Sequence, residues 1–245
     1  MTNVSRRLRT HGALRRAAAC ATFSAALLAA ALSPAHARAQ DVEANAETPL
    51  QRQLDHVDLA IGGTGQFSTS TNGVNYRPQN VNLKPSNTFG ALVTIGYTKS
   101  PLVGLQFNYG YARYTDNFTL TNTASTPNGI APFSLGVQTR ANEYTLGWVF
   151  HTHAQHFGVL PFAAVGAGTV AFTPTRGGGQ GYLEQARAAY YYSVGADTPL
   201  YAKYFGFRAQ FRQLFYLAPD YETNYYTDLK RSLASEPTIG FFIKF

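Results

Sequence analysis

Four stretches of this chain alternate strictly between two kinds of residue, and that period of two restricts the fold more than any other feature. In "VGLQFNYGYA" (103–112), Val103, Leu105, Phe107, Tyr109 and Tyr111 share one face of an extended segment. Gly104, Gln106, Asn108 and Gly110 share the other. "TFGALVTIGYT" (88–98) sets Phe89, Ala91, Val93, Ile95 and Tyr97 against Gly90, Leu92, Thr94 and Gly96. "YFGFRAQFRQLFY" (204–216) sets Phe205, Phe207, Phe211 and Phe215 against Gly206, Arg208, Gln210 and Arg212, and the closing "TIGFFIKF" aligns Ile239, Phe241, Ile243 and Phe245. A helix repeats every 3.6 residues and would scatter these rows; a strand keeps each on one face.

Four further segments suit strands: about 55–67, 134–151, 157–173 and 186–198. Most of the eight exceed the five or six residues usual in soluble sheets, and several reach the nine to eleven that cross a bilayer at a tilt. Three connections are short ("TKSPL", "HTHAQH", "DTPLYAK"). Four are long and polar (roughly 68–86, 115–132, 174–185 and 217–234), and long alternates with short along the chain. The expected fold is all-β: an eight-stranded antiparallel up-and-down transmembrane β-barrel with both termini at the end of the short turns. An eight-stranded interior is too narrow for whole rows of Phe and Tyr, so those rows face lipid and the Gly, Thr, Asn and Gln rows face inward. Tyr97, Trp148, Phe150, Tyr201 and Phe245, near strand ends, suit an aromatic girdle.

The first 39 residues read as a secretory signal to be cleaved. Arg6, Arg7, Arg9, Arg15 and Arg16 precede the apolar "AAACATFSAALLAAAL", and "SPAHARAQ" offers cleavage after Ala37 or, preferably, Ala39. The apolar run is short of the ~20 residues of a helical span. From Gln40 onward 14 Lys and Arg stand against 13 Asp and Glu, so the formal charge of +7 belongs mostly to the leader and argues for export, not for a nucleic-acid partner. With Cys20 and Met1 in the leader, the remainder has no disulfide framework and no cysteine metal site. The expected divisions are 1–39 signal peptide, 40–53 linker and 54–245 barrel.

"TIGFFIKF" resembles the C-terminal assembly signal of bacterial outer-membrane barrels, with Thr238, Gly240, Ile243 and the terminal aromatic Phe245 in place, and with Ile243 where an aromatic is more usual. Residues 54–245 resemble the eight-stranded OmpA/OmpX/opacity-like barrels. The resemblance implies insertion by the outer-membrane assembly machinery and no particular ligand; outer-membrane lipid and lipopolysaccharide are the expected surroundings, the even strand count places both termini in the periplasm, and no cofactor is expected.

Parity places Asp58, Glu143, Asp197, Arg208, Arg212 and Lys244 in the lumen, three acids and three bases. Buried ions are costly unless paired, so the expectation is a plugged interior laced by ion pairs: Asp197 with Arg208, Lys244 with Asp58, Glu143 with Arg208 or Arg212. Some similar barrels are lipid A acylases or deacylases, which need a base at the outer rim. The histidines after the leader, His56, His151, His153 and His156, fall at the other end, so no enzyme is expected. "HTHAQH" lacks a carboxylate partner for a metal and reads as a polar turn. "RGGGQG" (176–181) is not followed by Lys-Ser/Thr and is no phosphate loop. "DYETNYYTDLKR" (220–231) suits either an adhesive surface or an extension of the girdle. The expected function is structural or surface-interacting, through long outer loops that touch a surface ligand; the alternative is a narrow channel for ions or small apolar solutes.

Overall fold

The computed structural model describes residues 49–77, 79–122, 132–152, 158–201 and 204–245. A short helix, α1 (Pro49–Leu54), occupies the end of the expected linker and leads into ten strands. These are β1 (Val57–Ser68), β2 (Thr71–Val74), β3 (Gln79–Pro85), β4 (Thr88–Tyr97), β5 (Val103–Asn122), β6 (Phe133–His151), β7 (Leu160–Pro174), β8 (Gln185–Tyr201), β9 (Phe205–Leu217) and β10 (Arg231–Lys244). Every pairing is antiparallel. Eight of the strands form a ring in the order β1, β4, β5, β6, β7, β8, β9, β10, closed where Asp58 opposes Lys244 and Ser68 opposes Ala234. The last strand therefore finds its partner in the first, and no edge is left open around the ring.

The two remaining strands are a continuation of the β1–β4 hairpin. β2 pairs with β3, and β3 lies along the far half of β5, from Gln79 opposite Asn122 to Pro85 opposite Asp116. The break between β3 and β4 has a local cause. Pro85 has no N–H to give the ladder, and six residues (Pro85 to Gly90) run opposite five (Asp116 to Ala112), which is the count of a bulge. Ser86 repairs it by donating its N–H to the Thr115 carbonyl (2.9 Å) and accepting the Thr115 N–H on its hydroxyl (3.0 Å).

The β5–β6 pair shows how the exterior changes with height. From the end that carries the termini, the outward tiers run Leu105 opposite Trp148, Phe107 opposite Leu146, Tyr109 opposite Tyr144, Tyr111 opposite Asn142, Arg113 opposite Arg140, Thr115 opposite Gln138 and Asn117 opposite Gly136. The row from Val103 to Tyr111 is about 21 Å tall at a tilt of ~40° and ~3.4 Å per residue, close to the apolar band of a membrane barrel. Its side chains have no protein neighbour to cover them: Leu146 is 58% and Trp148 54% exposed, and Ile239 on β10 is 71% exposed. Soluble monomers do not surround themselves with such a surface.

Above Tyr111 the alternation inverts. Tyr114, Phe118 and Leu120 point in and are buried, and Arg113, Asn117 and Thr119 point out. β5 is 20 residues long, about twice what a bilayer requires. Residues 115–122 and most of 71–85, expected to be loop, are strand instead. They obey the soluble-barrel rule, apolar inside and polar outside, because they stand clear of the apolar band. The other boundaries move by a few residues: β7 begins at Leu160, and β8 extends from Gln185 to Tyr201.

Candidate functional site

The interior has two layers of different chemistry. The lower layer, at the terminal end, is polar and ionic. Arg208 on β9 makes a two-pronged contact with Asp197, its direct register partner on β8, with Nε to Oδ1 at 2.7 Å and Nη2 to Oδ2 at 2.8 Å. Its Nη2 also lies 3.3 Å from Asp58 Oδ1 on β1, an ion pair whose orientation falls short of a hydrogen bond. Arg212, two residues along the inner row, reaches across the lumen. Its Nη1 donates to Glu143 on β6 (3.0 Å) and to Glu236 on β10 (2.9 Å), and its Nη2 donates to the other Glu143 oxygen. Arg212 is 1% exposed, so this is a fully desolvated guanidinium held between two carboxylates.

Neutral groups fill the space between. Tyr191 on β8 lies under the Arg212 guanidinium, 4.6 Å from ring centroid to charge, and its hydroxyl accepts from Gln106 (2.9 Å) and Asn108 (3.0 Å). Gly147 and Gly166, opposed in register, leave room for that ring: a Cβ on Gly147 would sit 2.4 Å from the Tyr191 hydroxyl. Between the two arginine groups and the upper layer lies a cavity of about 20 Å³, with another of about 10 Å³ beside Arg208. Each has room for about one water.

The upper layer is apolar and is sealed by the β9–β10 connection folding into the mouth. Phe118, Val137, Phe172, Tyr216 and Tyr221 are among its buried members. Tyr221 packs edge-on to Phe118 (6.2 Å between centroids), and Tyr226 packs at 4.6 Å. The Tyr221 hydroxyl donates to the buried Asp116 carboxylate and meets the Thr139 hydroxyl at 2.6 Å. Asp220 locks the turn from outside, accepting from Gln185 (2.6 Å), Arg187 (3.0 Å) and Thr227 (2.9 Å). Burial pushes the Asp220 carboxyl up, but the Gln185 and Thr227 hydrogen bonds and the Arg187 charge outweigh it and hold its pKa below the ordinary carboxylate value. The lock is therefore present at neutral pH and is lost only as pH falls through that depressed pKa.

Set against expectation, the structure joins Asp197 to Arg208 and Glu143 to Arg212. It gives Asp58 to Arg208 rather than to Lys244, whose ammonium lies over the Phe242 ring at 5.5 Å. Lys244 does oppose Asp58 in the ladder, but it is the longer-reaching Arg208 guanidinium, two strands away, that comes within 3.3 Å of the Asp58 carboxylate. The interior is not balanced, because Glu236 and Asp116 also face inward. Asp116 lies beyond the bulge on strand that the polar sequence disguised as loop, and Glu236 lies just before Pro237, between the expected loop and the expected closing strand. Of the tyrosines of 220–231, Tyr221 and Tyr226 line the interior, and the half-buried Tyr225 meets the exposed Tyr76 at a tilt, 5.4 Å between centroids, with the Arg77 guanidinium over its ring at 4.9 Å. Trp148, Phe150 and Phe245 are exposed on the exterior. Of the four residues expected to form an assembly signal, Thr238 and Gly240 face inward, and Ile243 and Phe245 face outward.

At the terminal end a vestibule of about 240 Å³ is lined by Asp55, His56, Asp58, His151, Asp197 and Lys244. His153 and His156 lie outside the described residues, as do residues 1–39, expected to be a signal peptide, and the cleavage sites expected there. Among the described residues no three metal-ligating side chains converge, and no helix is long and apolar enough to cross a membrane.

A closed eight-stranded antiparallel ring, apolar outside and polar within, is the architecture of the bacterial outer-membrane barrels. The outer membrane protein OprG of Pseudomonas aeruginosa shares it, with a TM-score of 0.51 at 12% identity over 77% of this chain and 95% of that chain. Neisserial surface protein A gives 0.49 at 11% identity, over 78% and 97%, and Ail of Yersinia pestis gives 0.43 at 14%, over 77% and 97%. No protein-family model and no curated sequence matches this chain. At these identities the likeness is one of fold.

Proposed function

We propose that this chain is an integral outer-membrane barrel without catalytic activity, with its termini in the periplasm and its sealed mouth presented outside as a rigid surface for interaction. The observation that carries this reading is the exterior of β5 and β6: an uncovered apolar band of about 21 Å that gives way, at Arg113 and Arg140, to a polar extension of the same strands. Lipid explains the band, and water outside the cell explains the extension. The filled lumen favours a surface role over a channel, since its two cavities hold about one water each. The described histidines, His56 and His151, line the vestibule at the terminal end, away from the outer leaflet where lipid A chemistry takes place.

In cells the protein is expected in the outer-membrane fraction as a heat-modifiable band. Trypsin added to intact cells should cut after the exposed Arg176 and spare the connection around Tyr225. Recovery with soluble periplasmic proteins would defeat the membrane reading, and protection of Arg176 with cleavage at the terminal end would invert the topology.

The terminal residues serve, on this reading, as the assembly signal. The Phe245 N–H already reaches the Val57 carbonyl (3.3 Å) at the closing seam. Removing Phe245 should leave export intact and reduce the heat-modifiable fraction severalfold; normal insertion of the shortened chain would remove that role.

A further inference from the structure

We infer that Arg113 of β5 and Arg140 of β6 form a binding site on the exterior for the phosphate of an outer-leaflet glycolipid, the phosphorylated disaccharide of lipid A. The inference rests on the membrane reading above, which supplies the lipid.

The first observation is the sign of the exterior. Among the described strand residues that face outward, the charged ones are Lys84, Arg113, Arg140 and Arg231, all cations. The strand-borne acids Asp58, Asp116, Glu143, Asp197 and Glu236 are all buried inside. A surface that served only solubility would intersperse both signs. This one presents positive charge alone, and presents it above the aromatic tiers.

The second observation is register. Arg113 and Arg140 are direct cross-strand partners. Like charges placed directly opposite destabilise a sheet, so the arrangement calls for an anion between them. The protein provides none: the ion pairs among the described residues involve Arg187, Arg208 and Arg212. Arg113 is instead oriented by a neutral group, donating from Nη2 to Gln138 Oε1 (2.8 Å), which also accepts from Thr175 (3.2 Å). Among the described residues the rest of its fork, and the whole Arg140 guanidinium, has no hydrogen-bond or ion-pair partner. Two planar guanidinium groups offer the paired N–H geometry that phosphate oxygens accept.

The third observation is height. The arginine tier lies one step above Tyr111 and two above the Tyr109–Tyr144 pair, whose rings are 5.3 Å apart, with the Tyr109 hydroxyl donating to Asn142 at 3.1 Å. Amphipathic aromatics mark the level of the headgroups. A lipid whose phosphate sat on the two arginines would lay its acyl chains down the row Tyr111, Phe107, Leu105 and over Leu146 and Trp148.

The test uses the whole barrel in micelles of an uncharged maltoside detergent, and reads the temperature at which the compact band unfolds. Bisphosphorylated lipid A should raise that temperature for the natural protein, and dephosphorylated lipid A should not. The double variant R113Q/R140Q should lose the rise and bind fluorescent bisphosphorylated lipid A at least about tenfold more weakly. In micelles without lipid A the same variant should be as stable as the natural protein or more so, because the repulsion is gone. A merely structural role for the arginines cannot produce that reversal of sign. The site is overturned if the double variant keeps the full rise, if dephosphorylated lipid A works equally well, or if inorganic phosphate at equal concentration does, which would make the ligand a free anion. If the natural protein forms no heat-modifiable barrel at all, the membrane reading fails with it, whereas a stable barrel indifferent to lipid A removes the site alone.

Discussion

Replacing Arg212 by methionine is expected to lower the unfolding temperature of the barrel by on the order of 10 °C, the largest effect of any single lumen substitution. Among the described residues Arg212 is the sole cation bonded to Glu143 and Glu236, and it is buried between them. Taking it away leaves two carboxylates a few ångströms apart with no counter-charge and little water. Breaking a buried pair by removing one partner costs about 3–5 kcal/mol, and a protein of this size loses roughly 2–4 °C per kcal/mol. Glu143→Gln should cost much less, because Glu236 remains as counter-ion and the amide oxygen can still accept from the guanidinium. The triple variant Arg212→Met, Glu143→Gln, Glu236→Gln should recover much of the loss, since nothing charged is then stranded. A second readout is single-channel current. The guanidinium bridges from β9 to β6 across the lumen, so its removal should open a narrow pathway lined by two acids, selective for cations, once Tyr221→Ala has also unsealed the apolar upper layer. If Arg212→Met matches the natural protein in heat-modifiability, and adding it to Tyr221→Ala leaves the current unchanged, the interior network does not hold the barrel shut.

The ring was legible because lipid imposes a one-sided demand. Phe107, Phe207 and Phe241 had to face the same medium, and parity then assigned Asp197, Arg208, Glu143 and Arg212 to the other side. Parity fixes direction, but it does not fix reach. Asp58 and Lys244 are register partners, yet Asp58 meets Arg208 from two strands away. A long guanidinium can cross a lumen that an eight-stranded ring keeps narrow, and no spacing in the sequence encodes which acid it will find. The strand extensions were illegible for a different reason. Along β5 the apolar residues change face: Tyr111 points out, and after the single inward step at Ala112 the inward row continues as Tyr114, Phe118 and Leu120. A search for continuous alternation with one apolar face stops there and takes the polar outward residues for a loop. The inverted pattern was nonetheless present, and reading each half under its own solvent rule would have recovered both Asp116 and the strand that carries it.

That inversion explains why the outer mouth can be closed by protein packing, and it motivates the second large effect. Tyr221→Ala should detach the connection between β9 and β10 from the barrel while the lower ring stays folded. Tyr221 is 1% exposed, lies against Phe118 and Tyr182, and supplies the hydroxyl bonded to Asp116 and Thr139. Its backbone is in the left-handed region (φ 51°), as is that of Glu222 (φ 57°). Such non-glycine positions are strained and persist only where their surroundings hold them. Here the surroundings are the Asp220 lock and the aromatic anchor. Deleting the ring costs about 3–5 kcal/mol of packing, more than a strained turn at a loop tip retains, so the turn should release. Trypsin should then cut after Lys230 and Arg231, sites spared in the natural protein. Tyr221→Phe separates the two contributions: it keeps the ring but leaves the Asp116 carboxylate without its tyrosine donor, at about 1–3 kcal/mol, and should loosen the connection without detaching it. The ion-paired lower layer lies beneath, on different contacts, so heat-modifiability should persist in both variants. Continued protection of Lys230 in Tyr221→Ala would show that the Asp220 lock alone holds the mouth closed.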